Sequence, residues 1–429
     1  HTFWDTEAYV LPVLAYQLPA AARSALEWRH GTLPEARRRA AQLGLRGAAL
    51  PWRTIRGEEC SGYWPAGTAA FHVNADIADA VVRYVNATGD SRFDRDVGVE
   101  ILVETARLWR SLGHHDTGGA FRIDGVTGPD EYGAIADNNV YTNLMARRNL
   151  VGAADACARH QDRARELGVT PGEMADWRAA AEHVFIPYDS HLGVHEQSGG
   201  YMTHEVWDFA ATRPDEYPLM FHFPYFDLYR KQVVKQADLV LAMHLCADAF
   251  PPEEKARNFE YYERITVRDS SLSACTQAAL AAEVGHLRLA FDYVAETALM
   301  DLPDLEHNVC DGLHIAALAG TWIGLVAGFG GLRDDGDMLS CAPRLPDGLT
   351  GLSFTIVRRG LGLRVSIGAS TATYRLLDAQ GTLEIVHHGE RLTLQGTTPV
   401  ERPIPPAPDR EPPEQPRGRE PRRRSLRRE

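Results

Sequence analysis

The sequence predicts an all-α domain followed by a small antiparallel β domain. Between about residue 6 and residue 328, apolar residues recur at the spacing of amphipathic helices in about eleven segments. After Gly328, apolar and polar residues alternate as they do in half-buried strands. The polar motifs fall at turns between the helical segments. This layout favours a toroid of paired helices whose loops line a pocket on one face.

Two segments illustrate the helical pattern. The first carries an apolar stripe made of Ile101, Leu102, Ala106, Trp109 and Leu112. The second spans residues 231–250, and its stripe consists of Val233, Val234, Ala237, Leu241 and Leu245. Residues three or four positions apart lie on one face of a helix. We therefore predict a helix in each segment, and another from His314 to Val326.

The C-terminal part has the period of two that strands require. Two runs alternate apolar with mostly polar residues, and their apolar members are Leu352, Phe354 and Ile356, then Leu363, Val365 and Ile367. Shorter runs follow at 373–377, 383–387 and 391–394, divided by turns that contain glycine. We predict a small antiparallel β-sandwich over about 347–395. The predicted domains are then 1–335, 336–398 and a tail at 399–429.

The tail has an unusual composition. From Arg402 to Glu429 there are nine arginines, eight prolines and five acidic residues. A segment with so few apolar residues cannot bury enough surface to offset the entropy of ordering. We expect residues 399–429 to be disordered.

Composition narrows the classes of function. The 429 residues are 44% hydrophobic, enough for a large core, and no apolar run approaches the ~18 residues of a membrane span. A net charge of −13 argues against a nucleic-acid partner. The six cysteines are scattered, without a C-x-x-C pair or a Cys/His cluster, which predicts reduced core thiols, a cytoplasmic protein and no metal site.

The most informative motif is Gly-Val-Thr-Gly-Pro-Asp-Glu-Tyr at 125–132, followed by Asp-Asn-Asn-Val-Tyr-Thr-Asn at 137–143. A Gly-Pro turn would hold the carboxyl pair Asp130 and Glu131 just before a polar run that opens a helix. Such a placement suits a general acid at the mouth of a helical bundle. A well-made loop with an ordinary helix cap has the same residues. The residues alone do not decide which carboxyl group would be the acid.

Two further motifs could hold an anion. Ser270 and Ser271 directly precede an apolar stripe that begins near Leu272, and Gly312 and His314 precede another. Free backbone N–H groups at a helix start, together with hydroxyl groups, bind phosphate well. An Asp-Ser-Ser sequence is equally an ordinary helix cap.

Sugar-binding side chains have a recognisable chemistry too. Trp4, Trp52 and Trp64 offer flat apolar faces to a pyranose ring, while Asp5 can accept hydrogen bonds from vicinal hydroxyls. Tryptophan in a helical protein is more often a core residue.

Five motifs together resemble glycoside hydrolase family 65. They are the 125–143 stretch and, in single letters, HTFWDTE at 1–7, KQAD at 235–238, RDSSLS at 268–273 and DGLHIA at 311–316. They occur in the family's order over roughly residues 1–395. The resemblance implies an (α/α)6 barrel of twelve helices between a large β-sandwich and a small β domain. We count one helix too few, so we expect the first barrel helix and the large sandwich to lie upstream of His1.

The resemblance also implies roles for residues. Glu131 matches the family's general acid, while Ser270, Ser271 and His314, with Gly312, fall where its phosphorylases hold phosphate. By the same likeness the transferred glucose is surrounded by Trp4, Asp5, Lys235 and Gln236. Family hydrolases place a catalytic Glu near the serines. The adjacent Asp269 is expected to point elsewhere.

The expected function is inverting phosphorolysis of an α-linked glucose disaccharide of the trehalose, kojibiose or maltose type, giving β-glucose 1-phosphate and glucose. Inorganic phosphate would be the co-substrate, with no metal or organic cofactor and no nucleic-acid or membrane partner. A homodimer remains open. An inverting hydrolase of the same family and an inactive carbohydrate-binding fragment are the alternatives.

Overall fold

The computed structural model describes residues 1–305, 307–334, 336 and 338–423, and its first 330 residues are mainly helical. Three π-helical stretches adjoin α-helices, at Thr6–Val10, Asp94–Gly98 and Gly324–Phe329. The α-helices are α1 Leu11–Gln17, α2 Pro19–Gly31, α3 Leu33–Gln42, α4 Trp64–Ala69, α5 His72–Thr88, α6 Ser91–Phe93, α7 Val99–Leu112, α8 Val140–Arg159, α9 Gln161–Glu166, α10 Pro171–Glu182, α11 Tyr225–Leu228, α12 Asp238–Leu245, α13 Pro252–Glu263, α14 Ser273–Val284, α15 Leu287–Ala298 and α16 Ile315–Ile323.

Neighbouring helices pack face to face around one large apolar core. Helix α5 packs on α8, α7 on α8, α12 and α15 on α14, and α16 on α15. The stripe predicted at 101–112 lies in α7, where Ile101, Leu102, Ala106 and Trp109 are fully buried. Burial of this stripe fixes which side of the helix faces the core.

The segment 231–250 differs from its prediction. Residues Lys231–Gln232 form a short strand, and the helix runs only from Asp238 to Leu245. Val234 instead bridges Thr266 in a parallel contact. The apolar spacing was right for burial but wrong for conformation, because loop residues packed beneath a helix are also apolar. The segment that bends here carries two candidate site residues.

Short strand pairs tie the loops of the helical part together. They are β1 Thr2–Phe3 with β2 Arg53–Thr54, β3 His114–His115 with β4 Phe121–Arg122, β5 Tyr188–Asp189 with β6 Val194–His195, and β7 Glu205–Val206 with β8 Lys231–Gln232. Two residues are too few to show alternation in a sequence, so these pairs were not predicted.

The C-terminal part consists of two four-stranded sheets, in the orders β15-β14-β10-β9 and β11-β12-β13-β16. Pairing is antiparallel except between β10 and β14, which run parallel, so the expectation of a purely antiparallel sandwich is corrected. Strand β10 comes from the segment that follows the last helix. The alternation of apolar and polar residues does not show in which direction a strand runs relative to its neighbour. The strands are β9 Arg333–Asp334, β10 Leu339–Cys341, β11 Leu352–Arg358, β12 Leu361–Ile367, β13 Thr371–Leu376, β14 Thr382–His387, β15 Glu390–Gln395 and β16 Val400–Pro403.

The tail also differs from its prediction within the described residues. Val400–Pro403 pairs with β13, and residues 404–423 contact the helical part without regular secondary structure. Arg410 donates to the Val284 carbonyl and to the exposed Glu253, and Arg419 donates to the buried Asp269, so hydrogen bonds hold this segment where apolar burial is small. The expectation for 424–429 lies outside the described residues.

Two further expectations were tested by burial. Four cysteines are buried, but Cys60 and Cys310 are exposed, so the expectation that all six belong to the core is corrected. Cys60 stands in a loop and Cys310 in the short 3-10 helix Val309–Asp311, and neither belongs to an apolar pattern that would indicate burial. In the described part of the chain, no helix has the length and apolar character needed to cross a membrane.

Candidate functional site

The loop between β4 and α8 presents the carboxyl pair. Gly128 makes a close approach here, since a Cβ atom would lie 2.1 Å from Oδ2 of Asp238. At the end of the loop, the side chain of Asn139 accepts a hydrogen bond from the backbone N–H of Thr142 and caps α8. Its Nδ2 donates to the same Asp238 oxygen at 2.7 Å. The motif therefore forms one hydrogen-bonded unit with the start of α12.

Asp130 is the buried member of the pair. Its Oδ1 accepts the backbone N–H groups of Tyr132, Lys235 and Gln236, and its Oδ2 accepts Nε2 of Gln197. Burial raises the pKa of this carboxyl group, and the donors around it oppose the rise. With only 1% of its surface exposed, Asp130 holds two loops together and is not among the residues that line the neighbouring cavity.

Glu131 points the other way, into a cavity. Its Oε2 accepts Nζ of Lys235 at 2.7 Å, and its backbone carbonyl accepts the Tyr63 hydroxyl at 3.0 Å. The structure thus separates two adjacent carboxyl groups that the sequence left equivalent: one positions the loop, and the other is available for chemistry.

Gln236 connects the acid loop to the serine motif. Its Nε2 donates to the backbone carbonyl of Pro129 at 2.6 Å, and its Oε1 accepts the Ser270 hydroxyl at 3.0 Å. Ser270 and Ser271 stand just before α14, as predicted, and both line the same cavity as Glu131. Lys235 contacts the start of α14, where its backbone carbonyl accepts the Ser273 hydroxyl.

His314 is oriented by an acidic partner. Its Nδ1 lies 2.6 Å from Oδ1 of Asp301, which also accepts the His314 backbone N–H. This contact engages Nδ1 and leaves Nε2 for a ligand. Gly312 has a φ of 133°, a conformation that favours glycine, and it turns the chain into α16.

The Trp4-Asp5 motif lies on another side of the cavity. Trp4 is only 2% exposed and packs edge-on against Tyr9 and His72, so it presents little of its ring face. Asp5 has a buried Oδ1 with no hydrogen-bond partner among the described residues. Burial raises the pKa of Asp5 to about 7, and the charges of Glu131 and Glu7 add to the rise. An unpaired buried oxygen is well suited to accept a sugar hydroxyl.

One cavity of about 540 Å³ collects most of the predicted residues. That volume is typical of a site for a small molecule. The predicted residues that line it are Trp4, Asp5, Glu131, Gln236, Ser270, Ser271 and His314. Lys235 reaches the site through Glu131, and Gly312 shapes the loop without lining it. The arrangement combines an acid, hydroxyl donors, an imidazole and a free carboxylate around one space.

Other lining residues were not predicted. Phe3, Thr6, Leu313 and Ile315 are neighbours of predicted residues and carry no chemical signal of their own. Asp301 was missed because its distance of thirteen positions from His314 follows no helical or strand period. These contacts depend on loop paths that spacing does not encode.

Several weaker expectations can now be placed. Asp269 does turn away from the cavity, with Oδ2 bound by the Tyr132 hydroxyl. Among the tryptophans, Trp52 lines the cavity, while Trp64 is 59% exposed. In the described part of the molecule, no group of three or more His, Cys, Asp or Glu side chains could hold a metal ion.

Comparison with known proteins agrees with this organisation. The sequence model of the "Glycosyl hydrolase family 65 central catalytic domain" matches residues 1–323, and that of the "Glycosyl hydrolase family 65, C-terminal domain" matches 332–394. An uncharacterized glycosyl hydrolase of Mycobacterium tuberculosis is 56% identical over 98% of this chain and 54% of its own length. The α,α-trehalose phosphorylase of Geobacillus stearothermophilus is 42% identical over 94% of this chain and 53% of its own length.

A solved structure described as "Putative kojibiose phosphorylase from human microbiome" superposes with a TM-score of 0.87 at 28% identity, covering 94% of this chain and 56% of the other. The chain spans about half the length of the curated relatives it matches. Because the central catalytic domain accounts for most of its residues and the C-terminal domain for most of the remainder, the chain belongs to glycosyl hydrolase family 65.

Proposed function

We propose that the cavity catalyses inverting phosphorolysis of an α-linked glucose disaccharide of the trehalose, kojibiose or maltose type. The products would be β-glucose 1-phosphate and glucose, which makes the protein a glycosyltransferase of the disaccharide phosphorylase type. Relatives named trehalose, maltose and kojibiose phosphorylase support this class of reaction. With it goes the proposal that the paired helices form an (α/α)6 barrel. The protein is further proposed to act in the cytoplasm.

The observation that carries the proposal is the shared cavity. Glu131 lines the same space as Ser270, Ser271 and His314. Inversion needs an acid at the departing oxygen and a nucleophile on the opposite face of the sugar ring. A glucosyl unit placed between these groups would meet both.

Glu131 is the proposed general acid. A proton on its carboxyl group would pass to the glycosidic oxygen as the bond to the anomeric carbon breaks. In the structure, Lys235 occupies Oε2 of this carboxylate. The ammonium group and the proton compete for one carboxyl group, so substrate binding has to weaken the ion pair. A sugar hydroxyl that accepts from Lys235 would do so.

The proposed nucleophile is inorganic phosphate. The Ser271 hydroxyl and backbone N–H groups before α14 would donate to its oxygens. The Ser270 hydroxyl would join them once it turns away from Oε1 of Gln236. Nε2 of His314 would donate with the ring protonated at both nitrogens, because Nδ1 already faces the Asp301 carboxylate. Phosphate is already an anion, so the attack needs no base and no metal or organic cofactor. One displacement turns an α-linkage into a β-phosphate ester.

Asp5, Trp4, Lys235 and Gln236 are the proposed glucose contacts. Asp5 is also the observation that favours the hydrolase alternative, because it is a second carboxylate at the cavity and could deprotonate a water molecule. The inactive fragment remains an alternative as well, since the chain matches only part of its relatives. The following experiment separates all three.

The protein is incubated with trehalose, kojibiose, nigerose and maltose, with and without phosphate, and the products are identified by NMR. We expect a sugar phosphate of β configuration, formed only when phosphate is present. Glucose release at equal rates in both conditions would establish the hydrolase. An α-phosphate would refute inversion, and no turnover with any disaccharide, together with retained sugar binding, would favour the fragment.

A further inference from the structure

The segment 404–423 lies against the helical part and is held there by the side chains of three residues. Arg410 pairs with Glu253 at 2.8 Å, Gln415 donates to Glu263 at 2.8 Å, and Arg419 pairs with Asp269 at 3.1 Å. Of these three contacts, only the ion pair of Arg419 with Asp269 adjoins the cavity, because Asp269 immediately precedes Ser270.

Asp269 joins several loops at one carboxylate. Its side chain has no exposed surface. Oδ2 accepts the Tyr132 hydroxyl at 2.6 Å and the backbone N–H of Leu219 at 2.8 Å. The Tyr132 hydroxyl in turn accepts the backbone N–H of Met220 at 3.0 Å. Tyr132 follows Glu131, so this carboxylate connects the loop of the acid with the loop of the serines.

Arg419 closes the network from outside. Its guanidinium donates to Oδ1 of Asp269, to the Val267 carbonyl at 2.5 Å and to the Arg268 carbonyl at 3.1 Å. It also lies over the Tyr217 ring, 4.9 Å from the centroid. One cation therefore contacts the three residues that lead into Ser270 and an aromatic residue of the 217–221 loop.

We propose that Arg419 is a positioning residue that fixes the 267–271 loop against the loops of Glu131 and Leu219, and thereby sets the geometry of the phosphate-binding groups. A buried carboxylate needs a compensating positive charge. A guanidinium satisfies it in a fixed planar geometry that lysine does not reproduce. The effect on phosphate binding rests on the proposed function, but the ordering of the loops does not.

The first test measures hydrogen exchange in the full chain. In R419A, the amides of 267–272 and 219–220 should exchange faster than in the unchanged protein, by about tenfold if one hydrogen bond to a charged group is lost. R410A is the matched control, because Arg410 makes an ion pair and donates to the Val284 carbonyl at 3.1 Å. That contact lies at the far end of α14, about 18 Å from the serines. R410A should leave both amide groups unchanged.

The second test is kinetic. R419A should raise KM for phosphate by about tenfold and raise KM for the disaccharide clearly less. Of the proposed sugar contacts, Trp4 and Asp5 lie on another side of the cavity, while Gln236 touches the loop through Ser270. R419K should restore part of the loss. In a D269N background, R419A should add little, because the carboxylate that it orients is gone.

The outcomes separate the two proposals. Equal exchange in R419A, R419K and R410A would overturn the role of Arg419. Faster exchange with an unchanged KM for phosphate would restrict Arg419 to a purely structural role, and so would equal rises in both KM values. Absence of phosphorolysis in the unchanged protein would refute the proposed function, while exchange would still decide whether Arg419 orders the loops. A melting curve shows whether each variant is folded. If R419A is unfolded, both tests are carried out with R419K in its place.

Discussion

The same chemical change at two adjacent residues should affect two different properties of the protein. Asp130→Asn and Glu131→Gln each replace a carboxylate by an amide of nearly equal shape. Asp130 is enclosed by donors, whereas Glu131 is partly exposed at the cavity. We therefore expect the first variant to lose stability and the second to lose turnover.

The cost at position 130 follows from its neighbours. In Asp130→Asn, the new N–H group would face Nε2 of Gln197, which now donates to Asp130 at 2.7 Å. Gln197 cannot simply turn over, because its Oε1 accepts the backbone N–H of Asp238. At least one hydrogen bond to a charged group is lost, which costs about 1.5–3 kcal/mol of unfolding free energy. At Glu131→Gln, the amide oxygen still accepts from Lys235, so we expect a loss of about 1 kcal/mol or less.

Urea unfolding near pH 8 measures the first effect, and initial rates with the best disaccharide measure the second. Removal of a general acid should lower kcat at least about a hundredfold. The reasoning fails if Asp130→Asn unfolds at the urea concentration of the unchanged protein, or if Glu131→Gln retains its turnover. Asp130→Asn activity needs comparison at a temperature where the variant is folded.

Three further variants test the packing and charges around the site. Arg29→Ala should lower the unfolding free energy by about 3–5 kcal/mol, because it leaves unpaired the buried Glu7 carboxylate that Arg29 binds through two hydrogen bonds. In urea titrations, the double variant with Glu7→Gln should recover part of this loss. Gly320→Ala should destabilise by about 1–3 kcal/mol, since its Cβ would lie 2.6 Å from a side chain of α14, whereas Gly31→Ala, with open space around it, should not; comparable melting temperatures would contradict this packing. A carboxyl group with a raised folded-state pKa binds more protons in the folded than in the unfolded protein, so Asp5 should make the unfolding free energy fall as pH rises from about 4 to about 7. Asp5→Asn should flatten this part of the plot of urea midpoint against pH. An unchanged slope would show that Asp5 is not the group responsible.

Sequence spacing predicted the helical class because that class depends on local chemistry, while the candidate site residues came mainly from the likeness to glycoside hydrolase family 65. The apolar stripe of α7 and the Asn139 cap of α8 are properties of a few consecutive residues. Spacing was less informative where distant segments meet. The residues 231–237 were predicted to be helical, yet they bend to bring Lys235 and Gln236 to the acid loop.

The tail gives a second example. Its composition predicted disorder, because composition measures apolar burial and does not register acceptors elsewhere in the chain. Arg419 finds those acceptors at Val267, Arg268 and Asp269, about 150 positions away in the sequence. Hydrogen bonds over such separations follow no local period.

The amino-acid sequence by itself determined the helical and β parts of the chain, the family likeness and the residue types suited to acid, phosphate and sugar contacts. Tertiary structure alone decided that Asp130 is enclosed while Glu131 faces the cavity, that Asp301 orients His314, and that Asp269 turns toward Tyr132. The physical reason is that the type of each side chain and the local spacing of apolar residues are properties of the sequence itself. The burial and charge that a side chain experiences are set by segments that only folding brings together.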